Sequence, residues 1–250
     1  MHYVYINDHV NHNKFGYTPN KSTTDAVMAV KQFVEEGLRQ GLITILDSLD
    51  VKGAFGTSWW PCILKTLQDF NCPTNLYYLT KSFLSQGTAV MTTNTLQIER
   101  EVSKGCPQGS SCGPGLWNIQ YNSLLNLEFT KHNKVIAFTD DLLIAVKAES
   151  IREAENITNT EMNKVLTWAK NELNFNEKNS KVMVYHEKRK ENKEISVYIN
   201  KKILEQDKKI KYLGIIIDSN LNFRENIMYI SSKCNKLIHT LSKSAKECWG

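Results

Sequence analysis

The chain has 250 residues, of which 41% are hydrophobic and 23% charged, an ordinary balance for a folded globular protein with room for one large domain or two small ones. A formal net charge of +5 suits a nucleic-acid partner without requiring one. The six cysteines (Cys62, Cys72, Cys106, Cys112, Cys234, Cys248) form no C-x-x-C pair and no Cys/His cluster at zinc spacing, which argues against a disulfide scaffold or a zinc module. No run of about 18 apolar residues predicts a membrane span. The opening MHYVYINDHVNHNKFG has no apolar signal core or cleavage site, so the expectation is an intracellular protein, nuclear or cytoplasmic, with reduced thiols.

In chain order, Ser22-Thr23-Thr24-Asp25 reads as a helix start, followed by Ala26, Val27, Val30, Phe33, Val34 and Leu38 at three- and four-residue spacing and by Gly41 just past the end. LITILDSLDV (42–51) is short and rich in β-branched residues, a strand pattern. Ser58 is expected to cap a helix with Pro61 in its first turn and Ile63, Leu64 and Leu67 on one face. A second helix is predicted over 73–84, then a hairpin over 88–102 turning at Thr93-Asn94-Thr95. GPGLWNIQYNSLLNLEF (113–129) has helical spacing through Leu116, Ile119, Leu124 and Leu127, and VIAFTDDLLIAV (135–146) predicts a second hairpin. Ser150 and Glu153 read as a capping box for a long helix buried through Ile151, Ala154, Ile157, Val165 and Trp168. Strand-like runs at 182–185, 197–204 and 210–217 precede a closing helix with Ile227, Ile230, Cys234, Leu237, Leu241, Ala245 and Trp249 at core spacing. Basic residues thicken over 178–211, which fits a solvated surface and a backbone-binding surface equally well. With no internal repeat or low-complexity linker, the predicted class is α+β, helices packed on an antiparallel sheet.

Asp140 and Asp141 lie at the turn of VIAFTDDLLIAV. Acidic residues favour turns, so adjacent carboxylates alone carry little weight. Here the flanks are apolar without alternation, which predicts a hairpin buried on both faces with its turn aimed into something. A third acid, Asp50, ends the strand LITILDSLDV and is followed by the small residues Gly53 and Ala54. Like charges so close are costly to bury unless a cation holds them. Three carboxylates on sheet edges can hold two divalent metal ions about 3.5–4 Å apart, a clamp for in-line phosphoryl transfer. Oxygen ligands suit magnesium, and manganese fits equally.

Read together, these segments resemble the reverse transcriptase domain of non-LTR (LINE-type) retrotransposons. FGYTPNKSTTDAV (15–27) is similar to the segment before the first palm strand, and SLDVKGAFGTSWWP (48–61) to the strand with the first catalytic aspartate. KGCPQGSSCGPGLWNIQYNSLL (104–125) is similar to the loop and helix that position template and nucleotide, and FTDDLLIAV (138–146) to the aromatic-x-Asp-Asp box. LNFNEKNSKVMV (173–184) and KYLGIIIDSNLNF (211–223) resemble the two later palm segments. The six blocks stand in family order over most of 15–225.

The resemblance implies a right-hand polymerase palm, an antiparallel sheet with helices packed on one face, with partial fingers and the start of the thumb. It implies a single truncated domain: 1–41 partial fingers, 42–220 palm with finger elements, 221–250 first thumb helix. Asp50, Asp140 and Asp141 would be the catalytic, metal-binding acids. Phe55, five residues past Asp50, falls at the steric gate that crowds a ribose 2′-hydroxyl, although a ring there also suits plain core packing. Gln108 and Gly109 would lie against incoming nucleotide and template, Gly109 by close backbone approach. Tyr212-Leu213-Gly214 would grip the primer or serve simply as a strand turn, and Trp59-Trp60 would pack the helix after Asp50 onto the palm. The implied reaction is attack of a DNA primer 3′-hydroxyl on the α-phosphate of a dNTP, directed by an RNA template, with two Mg2+ ions or Mn2+ in their place. No membrane partner is expected, and the oligomeric state is left open.

The sequence also departs from the family pattern. Gly56 replaces the aspartate of GAFD, Thr139 the alanine before the acidic pair, and Asn179 a lysine that approaches the leaving pyrophosphate. Lys178 and Lys181 flank Asn179 but point elsewhere in an extended segment. Thr18 and Asn20 stand where basic residues are common. The alternative expectation is therefore a catalytically silent retrotransposon remnant that at most binds nucleic acid. The final helix, without a full thumb over it, is expected to expose an apolar face.

Overall fold

The computed structural model describes residues 9–85, 87–107, 109–131, 133–170, 173–186 and 194–249, with 245–249 as backbone only. Helix α1 (Thr23–Arg39) starts at Ser22, whose Oγ accepts the Asp25 N–H while the Asp25 carboxylate accepts the Ser22 N–H. Strand β1 (Ile43–Leu49) follows, then the short α2 (Ala54–Thr57), α3 (Trp60–Asp69) and α4 (Thr74–Leu84). Strands β2 (Gly87–Thr92) and β3 (Gln97–Val102) form the expected hairpin, which stands largely exposed. Helix α5 (Gly113–Leu125) leads to β4 (Lys134–Phe138) and β5 (Asp141–Ala148), and α6 (Ile151–Ala169) to β6 (Lys181–Tyr185).

The main sheet runs β4-β5-β1-β6-β9, antiparallel except where β9 (Glu205–Gln206) joins β6 in parallel. Because side chains alternate across a strand, each central strand serves two cores. Ile45, Leu49, Leu142, Ile144 and Val146 pack with Trp117 and Tyr121 of α5 and Met162 and Val165 of α6. Leu46, Leu143, Ala145 and Met183 pack with Val27, Val30 and Val34 of α1. The unbroken apolar flanks of the acidic turn thus reflect a sheet covered on both faces. The α+β class and the antiparallel palm sheet stand as expected, with α5 and α6 on one face and α1 on the other rather than on one face alone.

Several local readings change. Ser58 does not cap α3. Trp59 is the N-cap without a side-chain bond, and the buried Ser58 hydroxyl donates to Gln120 Oε1 at 2.5 Å. Ser150 Oγ accepts the Glu153 N–H, but the Glu153 carboxylate reaches Glu149 N rather than closing the box on Ser150. Helix α5 is buried all round, Asn118, Gln120 and Asn122 included, so its role is a central pillar rather than a helix with one apolar face.

The run at 197–204 is a two-residue hairpin of β7 (Tyr198–Ile199) and β8 (Lys202–Ile203). That at 210–217 is a hairpin of β10 (Lys209–Tyr212) and β11 (Ile215–Asp218), turning on Leu213 and Gly214 at φ 50 and 83. Helix α7 (Arg224–Trp249) exposes Ile227, Leu237, Ile238 and Leu241, the apolar face expected of it. Among the described residues, no helix is long and apolar enough to cross a membrane.

Candidate active site

The β4–β5 turn is fixed by register: Phe138 pairs with Asp141, leaving Thr139 and Asp140 between them. Thr139 sits at φ 51, in the left-handed region that a β-branched residue adopts only under strain. Leu49, the last residue of β1, lies opposite Leu142. Asp50 follows Leu49 and Asp141 precedes Leu142, so the antiparallel pairing brings these two acids side by side, with Asp140 next to them. Asp50 Oδ2 accepts hydrogen bonds from Asn176 Nδ2 at 3.0 Å and Asn179 Nδ2 at 2.9 Å, and the Asp50 N–H donates to Ser180 Oγ. Asn179 therefore acts as an amide donor to the first acid. Lys181 is held by Asp207 at 2.6 Å.

The charges register this crowding. Burial first, then the Asp140 and Asp50 carboxylates, push Asp141 up to about 6, with Lys14 pulling the other way. Lys14 is wholly buried behind the turn. Burial pushes its ammonium down to about 7, against the pull of Asp140 and Asp141. Among the described residues no three His, Cys, Asp or Glu side chains already stand at metal-holding geometry. The donor set nevertheless fits a divalent cation: hard carboxylate oxygens from neighbouring strand ends, whose mutual repulsion a cation would relieve.

Phe55, in α2, stacks on Trp117 with ring centroids 5.3 Å apart and takes the edge of Tyr17 at 6.1 Å. The loop after β3 is fastened beside it, with Cys106 N donating to Phe55 O at 2.7 Å and Trp60 Nε1 to Gly105 O at 2.8 Å. Trp60 thus secures this loop, while Trp59 is partly exposed. Cys106 is buried, as a packing residue should be. Gly109 holds φ 83 with nothing within 4 Å of where a Cβ would stand, so its backbone is open to an approaching group. Gln108 lies outside the described residues.

Of the basic stretch, Lys202 pairs with Glu177 at 2.7 Å and Lys209 with Glu225 at 4.0 Å, while Lys188, Arg189 and Lys190 lie outside the described residues. Lys21 donates to the carbonyls of His12 and Lys14.

Sequence reasoning missed the groups behind the turn. Lys14 Nζ and Trp117 Nε1 donate to Thr139 O, Tyr121 Oη donates to Asp140 O, and a Cβ on Gly16 would stand 2.1 Å from Thr139 N. The only local hint was two aromatic residues four apart on a helix whose polar residues are also buried.

An antiparallel sheet with acids at the end of β1 and at the β4–β5 turn is the palm arrangement that the sequence resemblance implies. The structure of apo telomerase from Candida tropicalis superposes with a TM-score of 0.63 at 10% identity over 89% of this chain and 39% of that one, a likeness of fold. A family model described as reverse transcriptase (RNA-dependent DNA polymerase) matches residues 2–217, and the chain belongs to that family. The Pol polyprotein of the type-1 retrotransposable element R1 from Bradysia coprophila is 26% identical over 240 residues, 95% of this chain and 23% of that protein. The RNA-directed DNA polymerase from mobile element jockey of Drosophila melanogaster is 25% identical over 225 residues, 87% of this chain and 24% of that protein. The non-LTR resemblance read from the six blocks is thereby borne out. The chain spans about a quarter of the length of these relatives.

Proposed function

We propose that the chain is the RNA-directed DNA polymerase domain of a non-LTR retrotransposon, extending a DNA primer on an RNA template with dNTPs. Residues 1–41 are then part of the fingers, 42–220 the palm with finger elements and 221–250 the first thumb helix. The observation that carries the reading is the gathering of Asp50, Asp140 and Asp141 at neighbouring strand ends in a chain of this family. These three would hold two Mg2+ ions, or Mn2+, which when bound activate the primer hydroxyl and stabilise the charge on the leaving pyrophosphate.

The rest is positioning by the chain's own side chains. Asp141, at about 6, is ionised at neutral pH and available as a ligand. Asn176 and Asn179 orient the Asp50 carboxylate through Oδ2. Phe55, wedged between Trp117 and Tyr17, forms a rigid wall against a ribose 2′-hydroxyl. Gly109, with its open backbone, would face the nucleotide and template, a role the resemblance also implies for Gln108. The Asn179 amide has no proton to lend to pyrophosphate and Lys181 is engaged by Asp207, so turnover is expected to be slow.

The test is primer extension on a primed RNA template with dNTPs and Mg2+, with Asp140→Asn alongside. Extension by the parent that vanishes in the variant supports the reading. A folded parent that binds the primed template yet adds no nucleotide makes the chain a silent remnant.

A further inference from the structure

The turn that carries Asp140 and Asp141 is held from within by groups to which the reaction assigns no part. Lys14, Trp117 and Tyr121 are all fully buried. Lys14 Nζ at 2.5 Å and Trp117 Nε1 at 2.7 Å converge on one oxygen, the Thr139 carbonyl, and Tyr121 Oη takes the next carbonyl, Asp140 O, at 3.0 Å. The Lys14 ammonium also lies over the Tyr121 ring, 4.6 Å from its centroid. Asn118 Nδ2 donates to Gly16 O and Tyr17 O, tying the segment that bears Lys14 to the helix that bears Trp117 and Tyr121.

Buried donors must find acceptors, and any carbonyl would satisfy them. These three meet the two consecutive carbonyls on either side of Asp140. Thr139 O belongs to the peptide plane before the Asp140 Cα and Asp140 O to the plane after it. Fixing both planes fixes the Asp140 backbone dihedrals and with them the direction in which its side chain leaves the turn. The residue before Asp140 is the strained Thr139, a conformation that persists only where its surroundings impose it. Trp117 further stacks on Phe55, so one residue sets both the turn and the wall beside it.

We propose that Lys14, Trp117 and Tyr121 are positioning residues that clamp the two peptide planes around Asp140 and thereby aim the Asp140 and Asp141 carboxylates at a divalent cation. The inference rests on the polymerase reading for the reaction served, and its test reads cation binding directly. Mn2+ alone is titrated into the full chain and followed by electron paramagnetic resonance, for the parent, Asp140→Asn, Tyr121→Phe and Trp117→Phe. Primer extension in parallel separates kcat from the KM for dNTP, with circular dichroism as the check on folding.

The parent binds Mn2+ and Asp140→Asn does not. Tyr121→Phe and Trp117→Phe weaken binding by about tenfold or more, the usual effect of removing a group that orients a ligand. For Tyr121→Phe, which leaves the Phe55 wall untouched, kcat falls while the KM for dNTP stays at the parent value. Parental Mn2+ affinity in a folded Tyr121→Phe overturns the clamp, and so does a parent that binds no Mn2+. Tyr121→Phe loses a single oxygen from a ring that otherwise stays, so it decides the matter even if Trp117→Phe does not fold. Asp140-dependent Mn2+ binding without primer extension sinks the polymerase reading and leaves the clamp to be judged on binding alone.

Discussion

Asp47 offers a measurable handle on the stability of the palm. It lies in the middle of β1, opposite Ile144 on one side and Val182 on the other. By strand alternation it shares the face of Ile45 and Leu49, which packs on α5 and α6. It is fully buried, neither carboxylate oxygen has a hydrogen-bond partner, and burial pushes the carboxyl well above its ordinary 3.8. An unsatisfied buried acceptor costs about 1–3 kcal/mol, and more when it is charged. Asp47→Val removes that penalty and places a β-branched apolar side chain in an apolar strand. At pH 7 the expected gain is at least about 3 kcal/mol, which is at least about 6–12 °C in Tm for a chain of this size.

The sign of the pH dependence follows from the raised pKa. The folded state prefers the protonated acid, so the parent is penalised once pH exceeds the unfolded value of 3.8. The penalty grows by about 1.4 kcal/mol per pH unit until the folded-state pKa is reached. Thermal melts of parent and variant should therefore nearly coincide in their pH-dependent part near pH 4 and diverge toward neutrality, with Asp47→Asn also losing the pH dependence. A Tm gap of the same size at pH 4.5 and pH 7, or a variant no more stable than the parent, refutes the reasoning.

The remaining predictions concern the site. Gly16→Ala forces a methyl onto Thr139 N, and the displaced turn should lower stability by about 1–3 kcal/mol in chemical denaturation and weaken Asp140-dependent Mn2+ binding. An unchanged denaturation midpoint would show that the contact yields freely. Asn179→Lys puts an ammonium beside Asp50 in place of an amide donor, and single-turnover nucleotide addition should quicken about tenfold or more if proton delivery limits the parent. An equal or slower rate shows that Asn179 does not limit nucleotide addition. Because Asp141 is raised to about 6 and a cation needs the carboxylate, Mn2+ affinity should fall about tenfold per pH unit below 6 and level off above it. A flat titration between pH 5 and 7 contradicts that assignment.

What the sequence makes legible follows the range of the interactions. Ser22 caps α1 through Asp25, three residues away, and the apolar flanks of the acidic turn report two-sided burial through their own composition. Asp50, Asp140 and Asp141 could be grouped because motif order stood in for spatial contact. Ser58 looked like a cap because its hydroxyl precedes a helix, yet its partner is Gln120, 62 residues on. Lys14 reaches Thr139 across 125 residues, and nothing in its own neighbourhood marks it as a core residue. The strand pattern accommodates Asp47 because alternation assigns it a face but is silent on whether a partner waits there.

The segment carrying Lys14 has a second consequence. Strand β4 is an outer strand of the main sheet, and an outer strand offers unpaired N–H and C=O groups to any chain that can lie alongside it. Asn13 and Phe15 take up those of Ala137, with Ala137 N donating to Asn13 O at 3.0 Å and Phe15 N to Ala137 O at 2.8 Å. The segment that braces the acidic turn through Lys14 therefore also covers the sheet edge at Ala137 through its neighbours Asn13 and Phe15. Loosening it would open a seam to neighbouring molecules as the turn slackened, so that clumping and weakened Mn2+ binding are expected to arise from one lesion.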